Sequence, residues 1–195
     1  MSNSQGKTER WSLKNLVLMK VGMHASEELR DIMKRKKREF QESGMVMWGY
    51  GGTICHPTTQ VQPFLEKVRS RGEVAYLAMI LTSSKMTGDP YLATSFSTDR
   101  GKWHKIPDGI EVAGSDKAIV CNRLVETDIN IDLSSYEVAV GPSKGKSVEN
   151  YFSGRVDKAC ATLKESPRKS GDNMEEEVNI HCLSKIISPY AVFLR

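Results

Sequence analysis

Aromatic rings, bare backbone, a thiol and an imidazole crowd one short stretch, Met-Val-Met-Trp-Gly-Tyr-Gly-Gly-Thr-Ile-Cys-His-Pro at 45–57. Trp48 and Tyr50 are types that stack on a flat ligand. Gly49, Gly51 and Gly52 predict a sharp turn or a close approach of backbone to another group. Cys55 and His56 are a nucleophile and a base by type. As neighbours on an extended chain they point to opposite faces, so neither serves the other. A thiolate at Cys55 would need its base from elsewhere, and His24, His104 and His181 are the other histidines in the chain.

A second cluster is Gly-Pro-Ser-Lys-Gly-Lys-Ser at 141–147. A P-loop needs four residues between its first glycine and Gly-Lys-Ser, so that successive N–H groups wrap a phosphate. Only Pro142, Ser143 and Lys144 separate Gly141 from Gly145. This spacing excludes a P-loop nucleotide hydrolase. It leaves a simpler expectation, a strand–loop–helix turn in which Ser143, Lys144, Gly145, Lys146 and Ser147 hold an anion. With Trp48–Gly52 across the same crevice, one half would stack a base and the other would hold its phosphate.

Other chemical types are more scattered. Trp103 and His104 are further stacking candidates. Cys55, His56, Cys121, Cys160, His181 and Cys182 show none of the close ligand pairs of a structural zinc site, so no metal is expected. No cofactor motif stands out. The basic run Lys34–Arg38 lies in a helical pattern and spreads around it as a solvated face, with the stem of Lys36 snorkelling beside the apolar stripe. Residues 23–32, with His24 after a strand and a helix behind it, resemble the opening of an ADP-ribosyltransferase of the His-Tyr-Glu kind. That likeness spans about ten residues, too few to assign the family. It implies a catalytic glutamate on a late strand, for which Glu137 is the nearest candidate.

The elements that must position these residues follow from periodicity. Leu16–Val21 predicts a strand. A helix follows, capped at Ser26 and striped by Leu29, Ile32, Met33 and Phe40, with Gly44 as its stop. Met45–Trp48 is a second strand. Val61, Phe64, Leu65 and Val68 at i, i+3, i+4 and i+7 predict a second helix, with Pro63 in its first turn. Val74–Leu81 is nearly all apolar, which marks a strand covered on both faces. Short strands at 93–97 and 102–106 predict a hairpin, and 118–124 and 136–140 two more strands, with polar 126–132 between. A long helix is expected over 148–163, striped by Val148, Tyr151, Phe152, Val156, Ala159, Cys160 and Leu163. The chain closes on an apolar strand, 186–194, where Pro189 predicts an edge position or a bend.

This order is α/β or α+β: one domain, a mixed β-sheet, about three main helices and a β-α-β-α-β start. Residues 1–12 read as a flexible arm, 13–164 as the globular domain, 165–177 as an exposed linker and 178–195 as a strand returning to the domain. At 195 residues, 39% apolar and 27% charged, the chain can bury a core without disulfides. The polar start, the lack of a long apolar run and the dispersed cysteines predict a soluble cytoplasmic protein that neither enters nor needs a membrane. A net charge of +4 admits an anionic partner. The expected function is a binding module for a phosphate-bearing ligand, a nucleotide or flexible nucleic acid. The alternatives are a transferase or hydrolase using His24, Cys55 or His56, and a protein-interaction module without a small ligand.

Overall fold

A computed structural model describes residues 11–51, 58–86, 91–152, 156–165 and 177–195, with backbone alone at 84–86. The order begins β1 (Asn15–His24), α1 (Leu29–Ser43), β2 (Val46–Gly49), α2 (Thr58–Ser70) and β3 (Tyr76–Met86). It continues with β4 (Ser95–Ser97), β5 (His104–Lys105), β6 (Lys117–Cys121), β7 (Val125–Asp132), a 3-10 turn at Leu133–Ser135, and β8 (Tyr136–Val138). Last come α3 (Val148–Phe152), β9 (Lys158–Leu163) and β10 (Glu177–Leu194). The described residues form a mixed sheet of ten strands with three helices in a single α+β domain, in the order β2-β6-β10-β3-β1-β9-β8. β4 and β7 add to β10, and β5 adds to β4.

β10 joins the two halves of this sheet. Its first part lies antiparallel between β3 and β7, with Cys182 level with Met79. The register breaks between Ile186 and Ala191, and its second part pairs with β6 and β4. Pro189 and Tyr190, the latter at a φ of 65°, sit at that break. Pro189 thus marks a bend in a central strand rather than an edge. A ladder hydrogen bond is lost there, and the bend redirects the strand to new neighbours.

β1 and β3 are parallel neighbours, and alternation along them builds two cores. Val17, Met19, Val21, Leu77 and Met79 face Val61, Phe64, Leu65 and Val68 of α2. Leu16, Leu18, Tyr76 and Ala78 face Leu133, Tyr136 and Phe152 on the other side. Both faces are buried, as the uninterrupted apolar run at 74–81 requires. A third cluster covers the outside of the second half, where Met47, Val120 and Val192 meet Ile106, Ile110 and Val112.

Several elements differ from the sequence expectation. α1 begins at Leu29 behind Glu28, because Ser26 sits in a tight turn at a φ of 65° and does not cap it. Gly44 does end α1, at a φ of 72°. Pro63 is the sixth residue of α2 and not in its first turn, and it lies on the exposed side. Residues 126–132 are a strand, because Ile129 and Ile131 alternate with polar neighbours and Thr127, Asn130 and Asp132 need no core. The long late helix is only α3, five residues long, and Ala159, Cys160 and Leu163 belong to β9. β9 fills the slot between β1 and β8, and small residues there suit both faces. Residues 11 and 12 are part of the domain, with Trp11 edge-on to Tyr76 at 5.1 Å. Residues 166–176, most of the expected linker, lie outside the described residues, as do 1–10.

Phe64 packs into the central core from α2. Phe64→Ala is expected to cost about 3–5 kcal/mol by lost transfer and cavity formation. A urea denaturation midpoint within error of wild type would show that α2 does not close this core.

Candidate functional site

A buried ion-pair network fastens α1 to two other segments. Lys36 and Glu39 stand one helical turn apart on the inward face of α1, 3% and 1% exposed. Lys36 Nζ donates to both Glu39 carboxylate oxygens at 2.8 and 2.9 Å, to the carbonyl of Met47 on β2 at 2.6 Å and to that of Glu111 at 2.8 Å. The Glu111 N–H in turn donates to Glu39 Oε1. Arg35 grips Glu27 in two parallel bonds of 3.0 and 2.6 Å and also reaches Glu39. Lys36 therefore points inward rather than snorkelling, because carbonyls and a carboxylate satisfy its charge there. Burial still draws Lys36 down to about 8 and pushes the Glu39 carboxyl up.

This network holds segment 111–116 across the end of β2. A Cβ on Gly49 would lie 2.5 Å from Ser115 Oγ and 3.1 Å from its Cβ, and one on Gly51 would lie 2.9 Å from Asp116 Oδ1. Neither glycine has a positive φ. Their absent side chains serve the close approach of that segment.

Between these parts lies a cavity of about 510 Å³. Its apolar wall includes Met19, Val21, Ile32, Trp48 and Val112. Around it stand Lys20, Arg35, Lys36 and Lys158 as cations, Asp116 and Asp157 as carboxylates, and His24. Trp48 is 3% exposed, and its indole Nε1 has no hydrogen-bond partner among the described residues. Lys158 is 5% exposed, 3.4 Å from the carbonyl of Gly51 and 5.8 Å from the centre of the Tyr50 ring. Lys20 donates to the carbonyl of Phe152 at 2.7 Å. His24 Nε2 lies 3.3 Å from the carbonyl of Ala113.

The residues singled out by type separate on this structure. Trp48, Gly49, Gly51 and His24 line the cavity. Tyr50 is fully buried and offers no open stacking face. Gly52, Cys55 and His56 lie outside the described residues. None of Ser143, Lys144, Gly145, Lys146 and Ser147 lines the cavity. Their loop is folded on itself: the N–H groups of Lys144, Gly145 and Lys146 donate to the carbonyls of Gly141, Val138 and Ser143. Three of the loop's amide donors are thereby taken. His104 and Trp103 are on the β4–β5 hairpin, and His181 is on β10. Glu137 is level with Thr162, and Thr162 with Asn15, so Glu137 stands at the opposite end of β1 from His24. Nine residues of strand put about 30 Å between them, and the pair implied by the ten-residue resemblance does not form.

The described cysteines are also separated from the cavity. Cys121, Cys160 and Cys182 are fully buried and do not line it. Burial raises the Cys121 thiol well above its ordinary value, and burial together with Glu126 pushes Cys182 up to about 12. Among the described residues, no group of three or more His, Cys, Asp or Glu is placed to hold a metal, and no helix is long and apolar enough to cross a membrane. Lys20 and Lys158 carry no sequence signal of their own, and Arg35 and Lys36 read there as part of a solvated basic run, because the four come from three separate elements. The one signal for Lys36 was its place on the apolar stripe. Comparison with known family models, curated proteins and solved structures gives no match.

The close approach at Gly49 makes a compensating pair. Gly49→Ala is expected to destabilise by about 1–3 kcal/mol, as overpacking does. Adding Ser115→Gly, which removes the clashing atoms, should recover more than half of the loss in a double-mutant cycle. Strictly additive effects would mean that the two do not touch.

The Arg35–Glu27 bond sets a pH dependence. The hydrogen bond from Arg35, against burial, holds the Glu27 carboxyl below its ordinary 4.5. A depressed folded-state value means that the unfolded chain takes up its proton first, so this stability is present above about 4.5 and lost as pH falls through the folded value. Glu27→Gln should be less stable at pH 7 and show a shallower acid limb in urea midpoints between pH 6 and 3. Parallel curves for the two proteins would refute the linkage.

Proposed function

We propose that the protein is a binding module for a small phosphate-bearing ligand of the nucleotide kind, taken up in the cavity between the end of β1, β2, α1 and segment 111–116. The observation that carries this reading is a cavity of about 510 Å³ with an indole in its wall and four cationic side chains against two carboxylates around it. That volume falls in the range of pockets that enclose small molecules. Trp48 supplies an indole in the wall whose Nε1 donor has no partner among the described residues. Lysines and an arginine on a low-dielectric wall focus a field that draws an anion. Arg35 and Lys36, paired with Glu27 and Glu39, shape the wall, and Lys20, Lys158 and His24 line it beside them.

Binding is favoured over transfer or hydrolysis because no thiol among the described residues lines the cavity. Asp116 and Asp157 line it as carboxylates, and Asp116 pairs with Lys117 at 3.1 Å. The loop at 143–147 is not part of this reading, since it does not line the cavity and three of its amides are already bonded.

The test is thermal unfolding with AMP, ADP, ATP, adenosine and inorganic phosphate, with tryptophan emission followed in parallel. At one hundred times Kd, a bound nucleotide adds about 2.7 kcal/mol, which raises Tm by roughly 5–10 °C for a chain of this size. Nucleotides should outperform adenosine, and Trp48→Phe should abolish the emission change. Equal shifts with adenosine, or none with any nucleotide at millimolar concentration, would overturn the reading in favour of a protein-interaction module.

A further inference from the structure

The second half of the sheet carries a different arrangement on the far side of β6 and β10 from the cavity. β4 and β5 form a hairpin on β10, with Phe193 level with Ser97, and Ser95 level with Lys105. Phe193 is also level with Lys117 on β6. Directly opposed residues share a face, and so do alternate residues of one strand. Phe193 and Arg195 are therefore on one face, and Lys105 is on that face too. The hairpin turn adds Arg100, whose guanidinium lies 4.3 Å from the centre of the Phe193 ring. Arg195 lies 4.1 Å from the centre of the Trp103 ring. Trp103 is itself held to the turn by its indole N–H, which donates to the Arg100 carbonyl at 3.2 Å.

Among the described residues neither Arg100 nor Arg195 has a carboxylate partner. The carboxylate of the turn, Asp99, is spent on its own backbone, accepting from the N–H groups of Gly101 and Lys102 and from Ser97 Oγ. Lys105 pairs with Asp108, both largely exposed, where such a pair is weak and easily exchanged. The result is a repeated unit, an exposed guanidinium on an aromatic ring, twice on one open face. None of these residues lines the cavity.

We propose that this face binds single-stranded nucleic acid. Stacking on a guanidinium or an indole suits any base, and the same guanidinium reaches the phosphate beside it. Two such units offer two base steps and two phosphate contacts without a groove for a duplex. An acidic peptide would engage the charges and leave the rings idle, so the pairing of each charge with a ring favours a nucleic acid. This inference does not depend on the cavity's ligand.

The experiment is fluorescence anisotropy of labelled dT20 and U20 oligonucleotides on the whole protein between 50 and 300 mM NaCl, with unlabelled poly-glutamate as competitor. The oligonucleotide should bind with a salt slope that falls by about 1.4 in Arg100→Ala/Arg195→Ala, at 0.7 for each lost single-strand contact. Trp103→Ala should weaken binding by about 5- to 150-fold with the slope unchanged, and Trp103→Phe should recover most of that loss. Circular dichroism and Tm confirm that each variant is folded; should Trp103→Ala fail to fold, Trp103→Leu takes its place. No binding at 50 mM salt, a slope unchanged in the double variant, or displacement by poly-glutamate at equal charge with no effect of Trp103 would each overturn the proposal.

Discussion

The Lys36–Glu39 pair inside α1 is the contact on which the rest of the site depends. One ammonium answers a carboxylate and two backbone carbonyls, one on β2 and one at Glu111. Removing either charge would leave the other buried and unpaired, which commonly costs several kcal/mol. Packing alone could hold α1 against β2. Segment 111–116 is held by backbone bonds to Tyr91 and Ala93 and by Val112 in the third cluster, and the ionic knot fastens it to α1 and β2, with Arg35 and Glu27 extending the knot toward the end of β1. The cavity exists because these three pieces are tied at a fixed spacing.

β10 plays the corresponding part at the scale of the fold. Its first residues run in a sheet whose two faces are both buried, and its last residues run in one whose outer face is covered by 93–112. A straight strand could serve only one of these. The break between Ile186 and Ala191 lets it serve both, and the inner faces of the two halves then share one core with α2. Gln62 of α2 accepts from the Ala191 N–H at 3.2 Å and so satisfies a backbone group that the irregularity would otherwise strand. The cavity and the arginine–aromatic face lie on opposite edges of this second half, with β6 and β10 between them.

Much of the architecture was legible in the sequence. The apolar, β-branched run Leu16–Val21, the i, i+3, i+4, i+7 stripe of Val61–Val68, the unbroken apolar run before Leu81 and the αL stop at Gly44 each carry their own physical signal. Together they dictate β1, α1, β2, α2 and β3 in order. The hairpin at 95–105 was legible from its turn chemistry. The crowded end of β2 was legible too, since Trp48, Gly49 and Gly51 are an unusual set for one strand end. The reason for the glycines was not. They admit Ser115 and Asp116, more than sixty residues away in the chain, and no local pattern records a neighbour that distant.

The errors have the same origin. Residues 156–163 fit a helical stripe as well as a strand, because small residues such as Ala159, Cys160 and Ala161 suit either, and only the vacant slot between β1 and β8 decides for a strand. Lys36 reads as one more charge in a basic run, and only the inward carbonyls of Met47 and Glu111 make it a buried tie. The loop at 141–147 has the composition of an anion site, and only its own folded-back hydrogen bonds take up three of its amides. By itself the sequence determined the periodic elements, their order and the class of fold, because these follow from hydrophobic spacing and backbone stereochemistry within a few residues. The tertiary structure alone decided which charges are buried, which amides are spent and where a cavity remains, because those depend on contacts between segments that the linear order holds far apart.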